Sequence, residues 1–225
     1  MATTLPIVES FHSIQGEGAH SGRSAYFIRL ANCKVGCPWC DTKDSWSSAN
    51  YPYKNVEELA KEAAIAKSQG AAFLVITGGE PLHHNLTPLC KAIVAATATM
   101  DKSMPIHLET SGVDQISGSP NWITLSPKRH LPPKERLLGI CQEIKVVIHE
   151  KEDIFFAEEM AKIAVDHKRK QAELNDNIYG STAQPLLFLQ PGWGNKEGHD
   201  LTIKHVIKNP KWRLSLQTHK WLNIA

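Results

Sequence analysis

Three cysteines in one short stretch are the side chains of this chain most suited to metal chemistry. Cys33, Cys37 and Cys40 are separated by three and then two residues, in a segment that also contains Gly36 and Pro38. Thiolates are soft ligands that select iron–sulfur clusters, zinc or copper(I). A structural zinc site usually takes four protein ligands, and so does a four-iron cluster held by protein alone. Because the local set stops at three, a cluster bound here would keep one iron open to bind and activate another molecule.

Two further cysteines, Cys90 and Cys141, stand alone in apolar surroundings. Cysteines in a chain without secretory features favour a reducing compartment and a role as ligands over disulfides. Residues 1–6 lack the basic and apolar regions of a signal peptide, and no apolar run approaches the roughly 18–20 residues that span a bilayer. We therefore expect a cytoplasmic protein that does not cross a membrane.

The length and charge of the chain limit its organisation and its partners. Its 225 residues suffice for a single domain, 1–225, with a substantial core. A hydrophobic content of 42%, a charged content of 21% and a net charge of +2 are ordinary for a globular protein. Because a dedicated nucleic-acid binder would be more basic, we expect no direct nucleic-acid partner.

Polar residues on either side of the cysteines are further candidates. Asp41 and Thr42 directly follow Cys40, and their oxygens suit a hard cation such as Mg²⁺. Arg29 lies in a predicted strand, 24–31, that leads into the cysteine segment. Two interpretations of Arg29 remain open: an ordinary structural ion pair, or a guanidinium fork that holds the carboxylate of a ligand.

Glycine-rich turns provide two more candidate segments. Residues 7–18 begin apolar and end with Gln15 and Glu17 among glycines; taken alone, this segment is best interpreted as a surface turn. Residues 72–77 form a continuous apolar run, typical of a buried parallel strand, and the sequence Gly-Gly-Glu-Pro follows at 78–81. Ligands bind at the carboxyl ends of such strands in α/β folds. We interpret His83 and His84, which come next, as solvated loop residues.

Strands and helices alternate along the chain, which predicts an α/β fold with a mostly parallel sheet. Predicted helices lie near 56–69, 87–100, 152–171 and 200–208, and a polar loop is expected at 173–184. Glycine, proline and polar clusters follow nearly every strand and would share one rim of a barrel. About six parallel strands, with two connections too short for helices, predict an incomplete TIM-type βα barrel.

The cysteine spacing followed by Gly-Gly-Glu-Pro resembles the radical S-adenosylmethionine (SAM) superfamily. That resemblance implies a [4Fe-4S] cluster on Cys33, Cys37 and Cys40, with SAM chelating the open iron. The reduced cluster would cleave SAM to a 5′-deoxyadenosyl radical.

The chain is also similar to the 7-carboxy-7-deazaguanine synthase family over nearly its whole length. The matching segments are 15–18, Arg29, 40–42, 77–81, 109–112, 126–128, 190–191 and 217–220. The resemblance implies that 6-carboxy-5,6,7,8-tetrahydropterin becomes 7-carboxy-7-deazaguanine with loss of ammonia, in queuosine biosynthesis. The radical would remove the C6 hydrogen, the ring would contract, and SAM would be regenerated. Mg²⁺, an electron donor such as a flavodoxin and a homodimer are also implied.

The same resemblance assigns site residues by position. The implied substrate contacts are Ile14, Gln15, Gly16, Glu17, Arg29, Thr77 and the terminal carboxylate of Ala225, where family members often end in proline. The implied SAM contacts are Trp39, Cys40, Asp41, Gly79, Glu80, Ser111, Ser126, Pro127, Lys128, Gln190, Pro191, Gly192 and Trp193. Thr42 would ligate Mg²⁺, and the strand and tail at 213–225 would close the substrate pocket.

Two other hypotheses account for part of the sequence. A glycyl-radical-activating enzyme shares the cysteine spacing but would consume SAM and need a protein partner. A zinc-binding interaction module could use the three cysteines with a histidine, but it leaves Arg29 and the Gly-Gly-Glu segment unexplained.

Overall fold

The structure of the protein, a computed structural model, describes residues 3–99, 102–173 and 183–224. Most of the predicted loop at 173–184, and Ala225, lie outside the described residues. The strands are β1 (Thr4–Ile14), β2 (Ser24–Leu30), β3 (Tyr53–Asn55), β4 (Phe73–Gly78), β5 (Ile106–Thr110), β6 (Trp122–Leu125), β7 (Glu143–Ile148), β8 (Leu186–Pro191) and β9 (Trp212–Leu214). The helices are α1 (Val56–Ser68), α2 (Thr87–Thr97), α3 (Glu135–Ile140), α4 (Lys151–Glu173), α5 (Lys196–Lys208) and α6 (Thr218–Leu222).

Over the described residues, the strands form one open, mixed sheet. Its order is β3-β1-β2-β4-β5-β6-β7-β8-β9, so β3 and β9 are its edges and the sheet does not close. β2 and β4 to β9 run parallel, whereas β1 is antiparallel to both of its neighbours. The predicted incomplete barrel is therefore confirmed, with one parallel strand more than the six expected.

The N-terminal segment differs from its prediction as a turn. β1 pairs with β2 from Ile7 opposite Leu30 to Ile14 opposite Ser24, and the turn begins only after Ile14. The side chains of β1 are partly exposed on both faces, so the segment lacks the clear alternation that identifies a half-buried strand. Its pairing with β2, rather than its own composition, makes it a strand.

Four of the predicted helices are present, with shifted ends. The side chain of Asn55 caps α1 by accepting a hydrogen bond from the Glu57 backbone amide at 2.9 Å, as the Asn-x-x-Glu pattern predicts. α5 begins at Lys196, earlier than predicted, where the Asn195 side chain accepts from the Gly198 amide. No described helix has the length and apolarity needed to cross a membrane.

Strand alternation separates the core from the concave face of the sheet. On β2, Tyr26, Ile28 and Leu30 belong to the main hydrophobic core, which the helices cover. Successive side chains point to opposite faces, so Phe27 and Arg29 lie on the other, concave face. The concave face therefore carries the side chains available to a ligand.

Candidate active site

A cavity of about 480 Å³ lies at the carboxyl ends of the parallel strands. Every polar segment that was predicted to share this rim contributes to it. The predicted site residues that line the cavity are Glu17, Cys33, Cys37, Trp39, Cys40, Asp41, Thr42, Thr77, Gly79, Glu80, Ser111, Ser126, Lys128, Gln190, Gly192 and Trp193. The site that the sequence assembled from distant segments is therefore one continuous space.

The cysteine loop, residues 33–42, forms one wall of this cavity, and all three of its cysteines face it. Trp46 Nε1 donates to Cys40 Sγ at 3.4 Å, which fixes the orientation of that thiol. Burial raises the pKa of the Cys33 and Cys37 thiols, while the nearby Lys128 ammonium favours the Cys37 thiolate. The neighbouring cation assists the deprotonation that a metal ligand needs.

The donor set fits a cluster better than a single ion. No three histidine, cysteine, aspartate or glutamate side chains in the described part of the chain converge so as to hold one metal ion. The thiolates of a four-iron cluster each ligate a different iron, so they surround a space without meeting at a point. His149 also lines the cavity, and its Nε2 is buried with no partner among the described residues. A polar cofactor would supply that partner.

Two glycines bring the end of β4 against the cysteine loop. Gly78 has φ +128°, and a Cβ there would lie 2.3 Å from the Leu30 amide nitrogen. A Cβ on Gly79 would lie 2.6 Å from the carbonyl oxygen of Asn32, next to Cys33. No side chain fits at either position without displacing backbone. The Gly-Gly pair therefore has a packing role beside any contact with a ligand.

The Glu80 carboxylate, implied as a SAM contact, accepts four hydrogen bonds within the protein. Its donors are the Leu82 amide at 3.0 Å, the Thr110 hydroxyl, the Ser111 amide at 2.8 Å and the Ser111 hydroxyl. A carboxylate has about four acceptor positions, so these bonds use its capacity. Glu80 thus joins the loops after β4 and β5, and its contact with a cofactor stays a prediction.

An ion pair between the buried Lys145 and the half-buried Glu17 also lines the cavity. Burial alone would raise the pKa of Glu17, but the Lys145 ammonium overcomes this effect and lowers that pKa to about 2. The pKa of Lys145 is raised because the attraction of Glu17, Glu109 and Glu143 outweighs the effect of burial. Gln190 Nε2 also donates to Glu17 Oε1 at 3.2 Å. The pair is therefore charged at neutral pH.

Glu109 is a further carboxylate of the cavity, beside Glu17, Asp41 and Glu80. Gln15 Nε2 donates to its Oε1 at 3.0 Å, and the Thr77 hydroxyl donates to its Oε2 at 2.9 Å. Gln15 does not itself line the cavity but orients a residue that does. The carboxylates of Glu17 and Glu109 thus face the same space, each with its orientation set by hydrogen bonds.

The C-terminal segment covers the side of the cavity near Asp41. Gln217 and Lys220 line it, and Lys220 Nζ lies 2.5 Å from Asp41 Oδ2. The Thr218 amide and hydroxyl both donate to the Gly16 carbonyl, at 3.0 and 2.9 Å. These bonds join the C-terminal segment to the N-terminal turn and to the cysteine loop.

Several residues implied by the resemblance lie outside the cavity lining: Ile14, Gln15, Gly16, Arg29, Pro127 and Pro191. Ile14 pairs with Ser24, at the end of β2 opposite the rim. Pro191 follows Gln190 on β8 and so points to the other face. Contacts of these two residues with a ligand stay predictions.

Arg29 forms the structural ion pair that was one of its two interpretations. Its Nε donates to Glu9 Oε1 at 2.7 Å, and its side chain keeps 25% exposure. Arg29 is also the β2 neighbour of Thr77 on β4, so both lie on the concave face at the cavity edge. The pairing with Glu9 does not remove Arg29 from reach of a ligand.

Eleven residues of the lining had no individual role assigned from the sequence: Val35, Trp46, Gly78, Glu109, Thr110, Thr124, Lys145, Val147, His149, Gln217 and Lys220. Five of these lie in segments that carry the family resemblance, at 77–81, 109–112 and 217–220. A signal for Lys145 existed in β7, where Glu143 and Lys145 alternate with the core residues Ile144 and Val146. Charges at every second position of an otherwise apolar strand indicate a polar face.

Glu143, the first residue of β7, is expected to make the stability of the protein depend on pH. Burial raises its pKa from 4.5 to about 7, against the attraction of Lys145. A raised carboxyl pKa contributes stability that is complete below pH 4.5 and is lost as the pH rises through 7. The free energy of unfolding of the unsubstituted protein should therefore fall between pH 4.5 and pH 8 by on the order of 3 kcal/mol more than that of Glu143→Gln. Urea unfolding of both proteins at the two pH values measures this, and parallel pH dependences would refute it.

The comparisons with known proteins agree with this geometry. Residues 28–120 match the family model of the radical SAM superfamily, and with the open βα sheet and the three-cysteine loop they define a radical SAM protein. The chain is 63% identical over 225 residues to 7-carboxy-7-deazaguanine synthase of Prochlorococcus marinus, covering 100% of both chains. It is 40% identical to the enzyme of that name from Synechocystis, covering 100% of this chain and 95% of the relative.

A solved structure shows the same similarity in three dimensions. The crystal structure of QueE from Escherichia coli superposes with a TM-score of 0.72 at 30% identity, covering 95% of this chain and 93% of that one. The chain belongs to the 7-carboxy-7-deazaguanine synthase family. Its superfamily implies a [4Fe-4S] cluster and SAM as cofactors, and this membership favours the radical-enzyme hypothesis over the glycyl-radical-activating and zinc-module hypotheses.

Proposed function

We propose that this chain is a radical SAM lyase that converts 6-carboxy-5,6,7,8-tetrahydropterin to 7-carboxy-7-deazaguanine, with loss of ammonia, in queuosine biosynthesis. One observation carries the proposal: a single cavity combines the three-cysteine wall with the carboxylates of Glu17 and Glu109, which hydrogen bonds hold in place. Cys33, Cys37 and Cys40 would hold the cluster. When bound, the cluster and SAM would supply the abstraction of a hydrogen atom from carbon.

The residues of the cavity suit a flat, hydrogen-bonding substrate with one carboxylate. Glu17 is ionised beside Lys145, and carboxylates accept hydrogen bonds from N–H groups such as those of a pterin. Arg29, at the cavity edge beside Thr77, would bind the substrate carboxylate with its guanidinium fork. The covering C-terminal segment would limit access of water to the bound substrate.

A direct assay separates this function from its alternatives. Anaerobically reconstituted protein is incubated with SAM, dithionite and the carboxypterin, and the product mass is measured. We expect 7-carboxy-7-deazaguanine to form over many turnovers without net loss of SAM. Stoichiometric release of 5′-deoxyadenosine would instead support a glycyl-radical-activating enzyme, and tight binding of one zinc without iron would support the zinc module.

Arg29→Ala is expected to raise KM for the carboxypterin by about ten- to a hundred-fold, since a charged hydrogen-bonding partner is lost. Stability should change by less than about 1 kcal/mol, because the pair with Glu9 is partly exposed. Glu9→Gln breaks the same ion pair but keeps the guanidinium, so it is the matched control and should leave KM nearly unchanged. Equal KM for the unsubstituted protein and Arg29→Ala would remove Arg29 from the substrate site.

Magnesium belongs to the proposal through Thr42. Thr42 lines the cavity beside Asp41, and its hydroxyl lies 3.6 Å from Cys40 Sγ. Thr42→Ala should raise the Mg²⁺ concentration for half-maximal rate about ten-fold, the scale of one lost charge-assisted contact. Thr42→Ser keeps the hydroxyl and serves as the control. An unchanged Mg²⁺ titration in Thr42→Ala would place the cation elsewhere.

The partners in this proposal are a small reductant and a second copy of the chain. An electron donor such as a flavodoxin would reduce the cluster in the cytoplasm, and the enzyme would act as a homodimer. Sedimentation of the reconstituted protein and reduction by purified flavodoxin test these two statements separately.

A further inference from the structure

Imidazole groups from other loops form hydrogen bonds with the backbone of the cysteine loop and of the residues just before it. The Lys34 amide donates to His83 Nε2 at 3.0 Å, and His130 Nε2 donates to the Val35 carbonyl at 3.0 Å. His84 Nε2 donates to the Ala31 carbonyl at 2.9 Å. The prediction that His83 and His84 are merely solvated was therefore wrong. Backbone amides and carbonyls of an irregular loop lack the hydrogen bonds of a helix or sheet, so side chains from other segments supply their partners.

His83 differs from the other two because it accepts rather than donates. A backbone amide can only donate, so His83 Nε2 must carry no proton and Nδ1 must carry one. Nδ1 is bonded to the Asp114 carboxylate, and the histidine side chain is only 12% exposed. A carboxylate on one ring nitrogen selects the tautomer whose other nitrogen accepts. Asp114 thus prepares His83 to receive the Lys34 amide, one residue after Cys33.

We propose that Asp114 and His83 act as a positioning dyad that holds the cysteine loop in the shape that retains the cluster. His83 comes from the turn after Glu80, and Asp114 follows β5, so the dyad connects two strand ends to the wall that carries the thiolates. The inference rests on the proposed role of Cys33, Cys37 and Cys40 as cluster ligands. Neither dyad residue lines the cavity, so the effect on the cluster is indirect.

Hydrogen exchange and cluster loss in the reconstituted protein test the dyad. His83→Ala should speed exchange of the Lys34 amide about two- to ten-fold, the range expected for one lost hydrogen bond. Cluster loss to a chelator, followed by iron–sulfur absorbance, should accelerate by a similar factor. In His83→Gln the amide oxygen replaces Nε2 as acceptor, so both rates should return toward those of the unsubstituted protein. Both rates in Asp114→Ala should fall between those of His83→Ala and those of the unsubstituted protein.

His12→Ala is the matched control, because His12 bonds to Ser24 on β2, at the end of the strand opposite the cysteine loop. It should leave both rates unchanged. The proposal is overturned if Lys34 exchange is the same in folded His83→Ala and in the unsubstituted protein, or if His83→Gln loses the cluster as fast as His83→Ala. If His83→Ala does not fold, Asp114→Ala and His83→Gln decide the question. A protein that binds the cluster but leaves the pterin unchanged would refute the proposed substrate and not the dyad.

Discussion

Replacing Cys37 by alanine is expected to abolish cluster assembly and reduce turnover to background. Cys37 is buried at the cavity wall, close to Lys128 and the two other loop cysteines. Without Cys37, only two of the three thiolate ligands of the cluster remain, and no other cysteine can take its place. Iron content and absorbance after anaerobic reconstitution measure the loss directly, with turnover of the carboxypterin as the second readout.

Cys90→Ala provides the matched control for the loss of one thiol. Cys90 is 1% exposed and belongs to the hydrophobic core, where a cysteine behaves as a small apolar residue. We expect a cost of about 1 kcal/mol in stability and a full complement of iron. A Cys37→Ala protein that still binds four irons and turns over would contradict the three-thiolate site.

Replacing Lys145 by methionine is expected to lower the free energy of unfolding by about 3–5 kcal/mol at pH 7, because an uncompensated charge stays buried. Lys145 is 6% exposed and Glu17 is 15% exposed, so water from the cavity would replace the lost ammonium only in part. The low pKa of Glu17, about 2, also depends on Lys145. Stability from that lowered pKa is present above pH 4.5 and is lost as the pH falls through 2. Chemical denaturation at pH 7 gives the expected difference.

The double substitution Lys145→Met and Glu17→Gln should recover much of the lost stability, since neither charge then remains buried. Substrate affinity should stay weak in both proteins if Glu17 contacts the pterin. Arg169→Ala is the surface control: Arg169 and Asp166 are 65% and 42% exposed, and an exposed pair contributes no more than about 1 kcal/mol. A cost of that same size for Lys145→Met would show that the cavity pair is solvated.

Local patterns were sufficient for much of the scaffold. The apolar run at 72–77 and the Asn-x-x-Glu cap at 55 predict β4 and α1, because burial and helix capping depend on neighbouring residues. Alternation of such segments is enough to predict a parallel sheet whose carboxyl ends share a rim. The cysteine spacing is likewise local, so the metal-binding wall of the cavity was visible before the fold.

Contacts between distant segments could not be read in the same way. Arg29 is equally consistent with Glu9 or a ligand until β1 and β2 are paired, and His83 resembles any loop histidine until the Lys34 amide lies against it. The charge of Lys145 in an otherwise apolar strand is accounted for only by its ion pair with Glu17, a residue of the distant N-terminal turn.

Residue types and their spacing alone determined that this chain has a three-thiolate loop on an α/β scaffold and which polar segments meet at one rim. The tertiary structure decided which of those groups are already paired within the protein and which face the cavity. The physical reason is that the pairing of a buried charge and the shift of its pKa are set by neighbours and by exclusion of solvent across the fold, and the extended chain provides neither of these.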